Sequence, residues 1–107
     1  MNSKFVKIVV FAPIADAESV RKAMGEAGAG VIGNYTHSSF SSRGIGRFTP
    51  QTGATPAVGA IGKPEEVEEE RIEMRCPREI VDLVVGKMKA VHPYEEVAYD
   101  IYPLESF

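Results

Sequence analysis

The stretch Arg71-Ile72-Glu73-Met74-Arg75-Cys76-Pro77-Arg78-Glu79-Ile80-Val81-Asp82-Leu83-Val84-Val85-Gly86-Lys87-Met88 changes its hydrophobic period half-way along. Before Pro77, Ile72, Met74 and Cys76 alternate with Arg71, Glu73 and Arg75, the period-two pattern of a half-buried strand. After it, Ile80, Val81, Val84, Val85, Met88 and Val91 recur at helical spacing and build a broad apolar face. Pro77 suits the first position of a helix, because its φ is already helical and its missing N–H would have no partner there. The pattern predicts a strand over 65–76 and a helix that stops at His92, since Pro93 pushes the residue before it out of helical geometry.

The same alternation of elements appears on both sides of this unit. Upstream, Lys4-Phe5-Val6-Lys7-Ile8-Val9-Val10-Phe11 is rich in β-branched and aromatic residues and ends at the breaker Pro13, which predicts a first strand. Asp16 is the expected N-cap of a first helix whose apolar stripe is Ala17, Val20, Met24 and Ala27 and whose end is Gly28. A second strand is expected within 32–48, bending near Gly44 and Gly46. Thr49 to Lys63, with its Pro and Gly residues, reads as a long excursion with room for a short hairpin arm. Such long loops are often functional. Downstream, Val97, Tyr99 and Ile101 alternate with Ala98, Asp100 and Tyr102 to give a fourth strand. The order βαββαβ is the ferredoxin-like pattern. It predicts an α+β fold over 1–107, a four-stranded antiparallel sheet with both helices on one face. The other face is left exposed or available to a neighbouring subunit.

Composition narrows the function classes. A chain of 107 residues with 44% hydrophobic content supports one continuous core. The longest apolar run, Ile8 to Ala12, is far short of the roughly 18 residues that span a bilayer, and the first four residues lack a signal peptide's apolar segment. Cys76 is the only cysteine, so no intrachain disulfide forms. These features lead to the expectation of a soluble cytoplasmic protein without membrane contact. No stripe of Lys and Arg interleaves with aromatics, so no nucleic-acid partner is expected. Six Lys and Arg against three acids in 1–62, and six against twelve in 63–107, make the two parts attract one another within a fold or between subunits.

Several motifs resemble catalytic devices and fail on context. Gly28-Ala29-Gly30-Val31-Ile32-Gly33 matches the dinucleotide pattern, but a helix precedes it and a strand follows, the reverse of what a pyrophosphate site requires. It reads instead as a glycine C-cap and tight turn. Gly62-Lys63 is followed by Pro64 and lacks the first glycine of a phosphate loop at Ala57. Cys76 shares its parity with Ile72 and Met74 and is expected in the core. Serines 38, 39, 41 and 42 lie near His37, yet no oxyanion device accompanies them. The six glutamates of 65–73 read as a solvated face. With two histidines, a metal site requires carboxylates as well: His37, His92 and Glu95 or Glu96 supply three ligands only if the fold or a subunit interface brings them together. Otherwise His37 is an ordinary strand residue and His92 a hydrogen-bonded helix terminus.

The residues Gly28-Ala29-Gly30-Val31-Ile32-Gly33-Asn34-Tyr35, Ser39-Phe40, Gly46-Arg47-Phe48 and His92-Pro93-Tyr94-Glu95-Glu96-Val97-Ala98-Tyr99-Asp100-Ile101-Tyr102-Pro103 together carry a resemblance. The chain resembles the insertion module of YqfO-type proteins of the Nif-three-like family, also called GTP cyclohydrolase one type two homologs. That module is similar in fold to CutA and the PII signalling proteins, so the resemblance implies a ferredoxin-like, CutA/PII-like domain and a homo-oligomer, by analogy a trimer. The family's paired metal ions belong to domains flanking the module, so the resemblance does not extend the cyclohydrolase name to this chain. Where the family often has a cysteine, this sequence has Ser38.

The resulting functional expectation is a non-enzymatic, small-molecule-binding or regulatory module. Its ligand cleft, within or between subunits, is expected to use Asn34, Tyr35, His37, Ser39 and Phe40 of the second strand with His92, Tyr94, Glu95 and Glu96 of the turn after the second helix. One alternative is a CutA-like protein that holds a divalent metal through His37, His92 and Glu95. Another is an accessory domain that acts with a separate metal-dependent hydrolase.

Overall fold

A computed structural model describes residues 3–106. The elements run β1 (Phe5–Pro13), α1 (Ile14–Glu26), β2 (Phe40–Phe48), β3 (Glu65–Pro77), α2 (Val81–Val91) and β4 (Tyr99–Leu104), with a single 3-10 turn at Arg78–Ile80 leading into α2. The sheet order is β2-β3-β1-β4 and every neighbouring pair is antiparallel. β1 and β2 therefore point the same way with β3 between them, as a ferredoxin-like βαββαβ chain requires.

Register explains which side the helices cover. Val6, Ile8 and Val10 of β1 stand opposite Cys76, Met74 and Ile72 of β3. All six are buried in one cluster with Ala17, Val20 and Met24 of α1 and Val84 and Met88 of α2. The period-two set of the strands and the 3.6-residue stripes of both helices thus meet in one core on one side of the sheet. Cys76 lies in that core, as its parity predicts.

The opposite side carries charge where the core side carries methyl groups. Glu73 of β3 pairs with Lys7 at 3.3 Å and with Arg71 at 3.4 Å. Arg75 stacks 4.0 Å from the Phe5 ring centroid and Arg71 lies 5.9 Å from that of Phe11. Val9 faces this side and is nevertheless fully buried, because long charged side chains lay their aliphatic stems across such a face.

Three local expectations are corrected. Helix α1 begins at Ile14 with Pro13 as its N-cap residue, and Asp16 lies inside the first turn without capping it. Its carboxylate sits at the positive end of the helix dipole. The 3-10 turn displaces the start of α2 from Pro77 to Val81, so Pro77 closes β3. The second strand begins only at Phe40, leaving residues 28–39 as a folded-back turn with one isolated bridge between Ile32 and Tyr35. The cause is the end of α1. Gly28 and Ala29 donate back to the carbonyls of Gly25 and Met24, a Schellman closure with Gly28 at φ +115°. Gly30, at φ +82°, then donates to the Arg75 carbonyl at 2.7 Å and accepts from the Ser38 N–H at 2.9 Å. A Cβ at Gly30 would stand 2.6 Å from the Ser38 carbonyl oxygen, so only glycine permits this return.

The 49–64 segment is the loop of the β2–β3 hairpin and forms no strand arm of its own. Its base is closed by the Gly62 N–H donating to the Pro50 carbonyl at 2.7 Å. The glutamate-rich strand is not uniformly solvated either: Glu69 and Glu70 are buried on opposite sides of the sheet. Glu70 faces α1, where Arg21 pairs with it and with Glu18. Burial alone would lower the Arg21 pKa, but its bonds to the two carboxylates outweigh that and raise it.

Candidate ligand cleft

A cleft of about 500 Å³ opens on the charged side of the sheet, at the end where β1 finishes and β2 runs into its long loop. One wall is aromatic, from Phe11 and Phe48, and the loop adds Pro50, Ala54, Pro56 and Val58. The remaining wall is the turn between α2 and β4, with Tyr94, Glu95, Glu96 and Ala98, and Glu69 also lines the cavity.

The turn is built by the sequence His92-Pro93-Tyr94-Glu95-Glu96. Pro93 holds His92 in an extended conformation at φ −80° and ψ 136°, which ends α2 and turns the imidazole inward. His92 is buried, with Nε2 2.7 Å from the Phe11 carbonyl oxygen and Nδ1 accepting the Tyr94 N–H at 3.2 Å. That pairing assigns the neutral tautomer with the proton on Nε2. The Phe11 N–H in turn donates to the Ala98 carbonyl at 3.1 Å, so the turn is fastened to the end of β1 at two points. Tyr94 packs edge-on against Phe48 with centroids 5.9 Å apart. Glu95 accepts the Thr55 N–H at 2.7 Å and so latches the β2–β3 loop to the turn.

Glu69 is the most unusual group in the cleft. It is 8% exposed and accepts the Tyr94 hydroxyl at 3.2 Å, yet among the described residues no Lys, Arg or His lies within ion-pair distance of it. Gly46 makes room for it: a Cβ there would overlap the Glu69 carboxylate. Burial, and then the Glu69 charge beside it, push the Tyr94 phenol up to about 12.

The expected site residues divide between two ends of the sheet. Tyr94, Glu95 and Glu96 line the cleft, and His92 supports it from behind. Asn34, Tyr35, His37, Ser39 and Phe40 lie elsewhere, exposed on the turn after α1 and at the start of β2. The His37 ring packs over Gly25 at the end of α1, and that turn is anchored at Arg75. Arg75 pairs with Lys7, four residues from Phe11 along β1, or roughly 14 Å in an extended strand. His37 is not the strand residue expected, because it precedes β2 and is in the left-handed region at φ +58°. His37, His92 and Glu95 are therefore not brought together within the chain, and the described residues contain no group of three or more His, Cys, Asp or Glu positioned to hold a metal ion. Sequence reasoning flagged the 49–63 excursion as the kind of loop that is often functional, but it missed Glu69, Phe11 and Phe48 as lining residues. The available signal was Gly46, since a glycine inside a strand marks a close approach by another group.

No family model matches the chain. Over 99 residues it is 50% identical to the GTP cyclohydrolase 1 type 2 homolog of Bacillus subtilis, a match covering 92% of this chain and 26% of that protein. The crystal structure of a Bacillus cereus protein related to NIF3 superposes with a TM-score of 0.85 at 50% identity, covering 99% of this chain and 27% of the other. Nearly the whole of this chain is similar to one segment of the GTP cyclohydrolase 1 type 2 homologs. It spans about a quarter of the length of these relatives. Beyond this Nif-three-like segment the likeness is one of fold: CutA from Archaeoglobus fulgidus superposes at TM-score 0.70 with 20% identity, covering 96% of this chain and 86% of that one. The Bacillus subtilis GlnK–ATP complex does so at 0.64 with 16% identity, covering 97% and 84%. No helix among the described residues is long and apolar enough to cross a membrane.

Proposed function

We propose that this chain is a non-enzymatic small-ligand-binding module with regulatory character, and that its ligand occupies the cleft between the β2–β3 loop and the His92–Ala98 turn. The observation that carries the reading is Glu69, a buried carboxylate with no cation beside it among the described residues, next to mostly apolar walls. Concave, largely apolar sites with a few convergent polar groups are the usual form of small-molecule pockets. The latch from Thr55 to Glu95 is exposed and joins two loops, so a ligand entering beneath it would be reported to the surface. The test is a small-molecule screen followed by amide chemical shifts: binders are expected to move Gly46, Phe48, Tyr94 and Ala98 together. A screen in which no compound moves these four would remove the reading.

A second reading, an accessory domain acting with a metal-dependent hydrolase, is favoured by one specific observation. The homologous segment makes up only 26% of the Bacillus subtilis relative. Co-purification with a separately encoded partner of hydrolase type, or its absence, decides between them. The CutA-like metal reading through His37, His92 and Glu95 has less support, because both ring nitrogens of His92 already have partners. For assembly, we propose a homo-oligomer, by fold analogy a trimer. The uncovered sheet face and the exposed apolar side chains Ile32, Tyr35 and Phe40 support it.

A further inference from the structure

We infer that the cleft selects a small organic cation, an arylalkylamine or a molecule of that chemistry, whose ammonium group pairs with Glu69 while its apolar body lies against Phe11 and Phe48. The inference rests on the ligand-binding reading above and names the chemical class that the same cleft takes.

Charge pairing around β3 is the starting point. Glu70 is buried and has Arg21, and half-buried Glu73 has Lys7 and Arg71. Glu69 is as buried as Glu70 and, among the described residues, has only a neutral phenol as its side-chain partner. A carboxylate removed from water needs a positive partner or several donors to offset its lost hydration. One oxygen of Glu69 takes the Tyr94 hydroxyl; the other lies beside Gly46, has no hydrogen-bond partner among the described residues and keeps some contact with solvent. The missing partner is a donor, and one carrying positive charge matches it best.

Neighbouring groups sharpen the choice. The charges acting on the Tyr94 phenol, from Glu69, Asp16 and Glu65, are all negative. Glu95 and Glu96 add two more carboxylates to the lining. Arg47 also lines the cleft, but its guanidinium is engaged by Glu66 at 3.3 Å. Phosphates and carboxylates are repelled by such a field, whereas an ammonium group is drawn in. A bare divalent ion is poorly served, because hard cations need six or more oxygen ligands and here the walls are hydrocarbon. The rings of Phe11 and Phe48 offer an organic cation both contact area and an electron-rich face. A cleft of about 500 Å³ holds a molecule of that size with room to spare.

The test compares three probes of nearly one shape and three charges, phenethylamine, phenethyl alcohol and phenylacetate. Each is titrated into the 15N-labelled chain and followed at the Gly46, Phe48, Tyr94 and Ala98 amides. Phenethylamine is expected to bind at least tenfold more tightly than the alcohol, with phenylacetate weakest. Glu69→Gln is expected to erase the amine's advantage while leaving the alcohol's affinity unchanged, which also shows that the variant is folded. If the alcohol binds the wild-type chain as tightly as the amine, the cationic selectivity is wrong and the cleft remains a ligand site. If phenylacetate binds best, the sign of the inference is reversed, again without harm to the cleft. If none of the three moves those amides at millimolar concentration while a screening compound does, the arylalkylamine class is wrong. If no compound of either set moves them, both readings fall. The wild-type comparison needs no variant, so poor folding of Glu69→Gln cannot shield the inference.

Discussion

The Tyr94 hydroxyl donates to Glu69 at 3.2 Å, tying the turn after α2 to the first buried residue of β3. Tyr94 follows a helix terminated by proline, and Glu69 lies on a strand 25 positions earlier. Their contact makes one wall of the cleft, and it has a consequence that can be measured by titration.

Burial, and then the adjacent Glu69 carboxylate, favour the neutral phenol, so Tyr94 is pushed up to about 12 from an ordinary value of 10. With the folded pKa above the unfolded one, the native state holds the extra proton. Its contribution is complete below pH 10 and is lost as pH rises towards 12. Absorbance at the phenolate band is expected to show a late component that Tyr94→Phe removes and Glu69→Gln shifts to lower pH. An unchanged titration curve in both variants would contradict the contact.

Gly46 and Gly44 lie two residues apart on β2 and are expected to differ sharply on substitution. A Cβ at Gly46 overlaps the Glu69 carboxylate, whereas at Gly44 it meets nothing within 4 Å. Gly46→Ala is expected to cost about 1–3 kcal/mol by overpacking, and Gly44→Ala to stay within about 0.5 kcal/mol of wild type. Urea unfolding of both, and of Gly46→Ala combined with Glu69→Ala, checks this; the double variant should recover part of the loss.

Arg21 is the only cation paired with buried Glu70 among the described residues. Removing it alone, as Arg21→Met, leaves an uncompensated carboxylate against α1 and is expected to cost about 2–4 kcal/mol, below the fully buried limit because Arg21 is partly exposed. Arg21→Met combined with Glu70→Leu should restore most of the stability, since a well-packed apolar pair replaces an ion pair at little net cost. Thermal or chemical denaturation of the cycle reads the coupling directly.

The Cys76 thiol is pushed up to about 11 by burial. At pH 8 very little thiolate is present, so alkylation by iodoacetamide is expected to be slow in the native chain and fast in urea. Rapid labelling under native conditions would mean that β3 opens at its Pro77 end.

Much of the architecture could be read from residue order. The alternation Ile72, Met74, Cys76, the stripes Val20–Met24 and Val84–Met88, and the run Val6–Val10 each state their period within a few neighbours, and the folded chain keeps all of them. Legibility failed where conformation depended on a distant partner. His37 and Ser39 look like strand residues until Gly30 is pinned to Arg75, which forces the chain to turn back. Glu69 looks like one more surface glutamate until Gly46 and Tyr94 enclose it.

Sequence alone determined the element order, the core side of each strand, the stop of α2 at His92 and the likeness to a Nif-three-like segment, because backbone sterics and hydrophobic periodicity act over a few neighbouring positions. Tertiary structure alone decided that the His92 turn meets the β2–β3 loop, that the Asn34–Phe40 segment lies at the far end, and that Glu69 is buried with no cation beside it among the described residues. Those outcomes depend on strand register, which brings together residues tens of positions apart, and no local pattern encodes the charge that will face a given side chain.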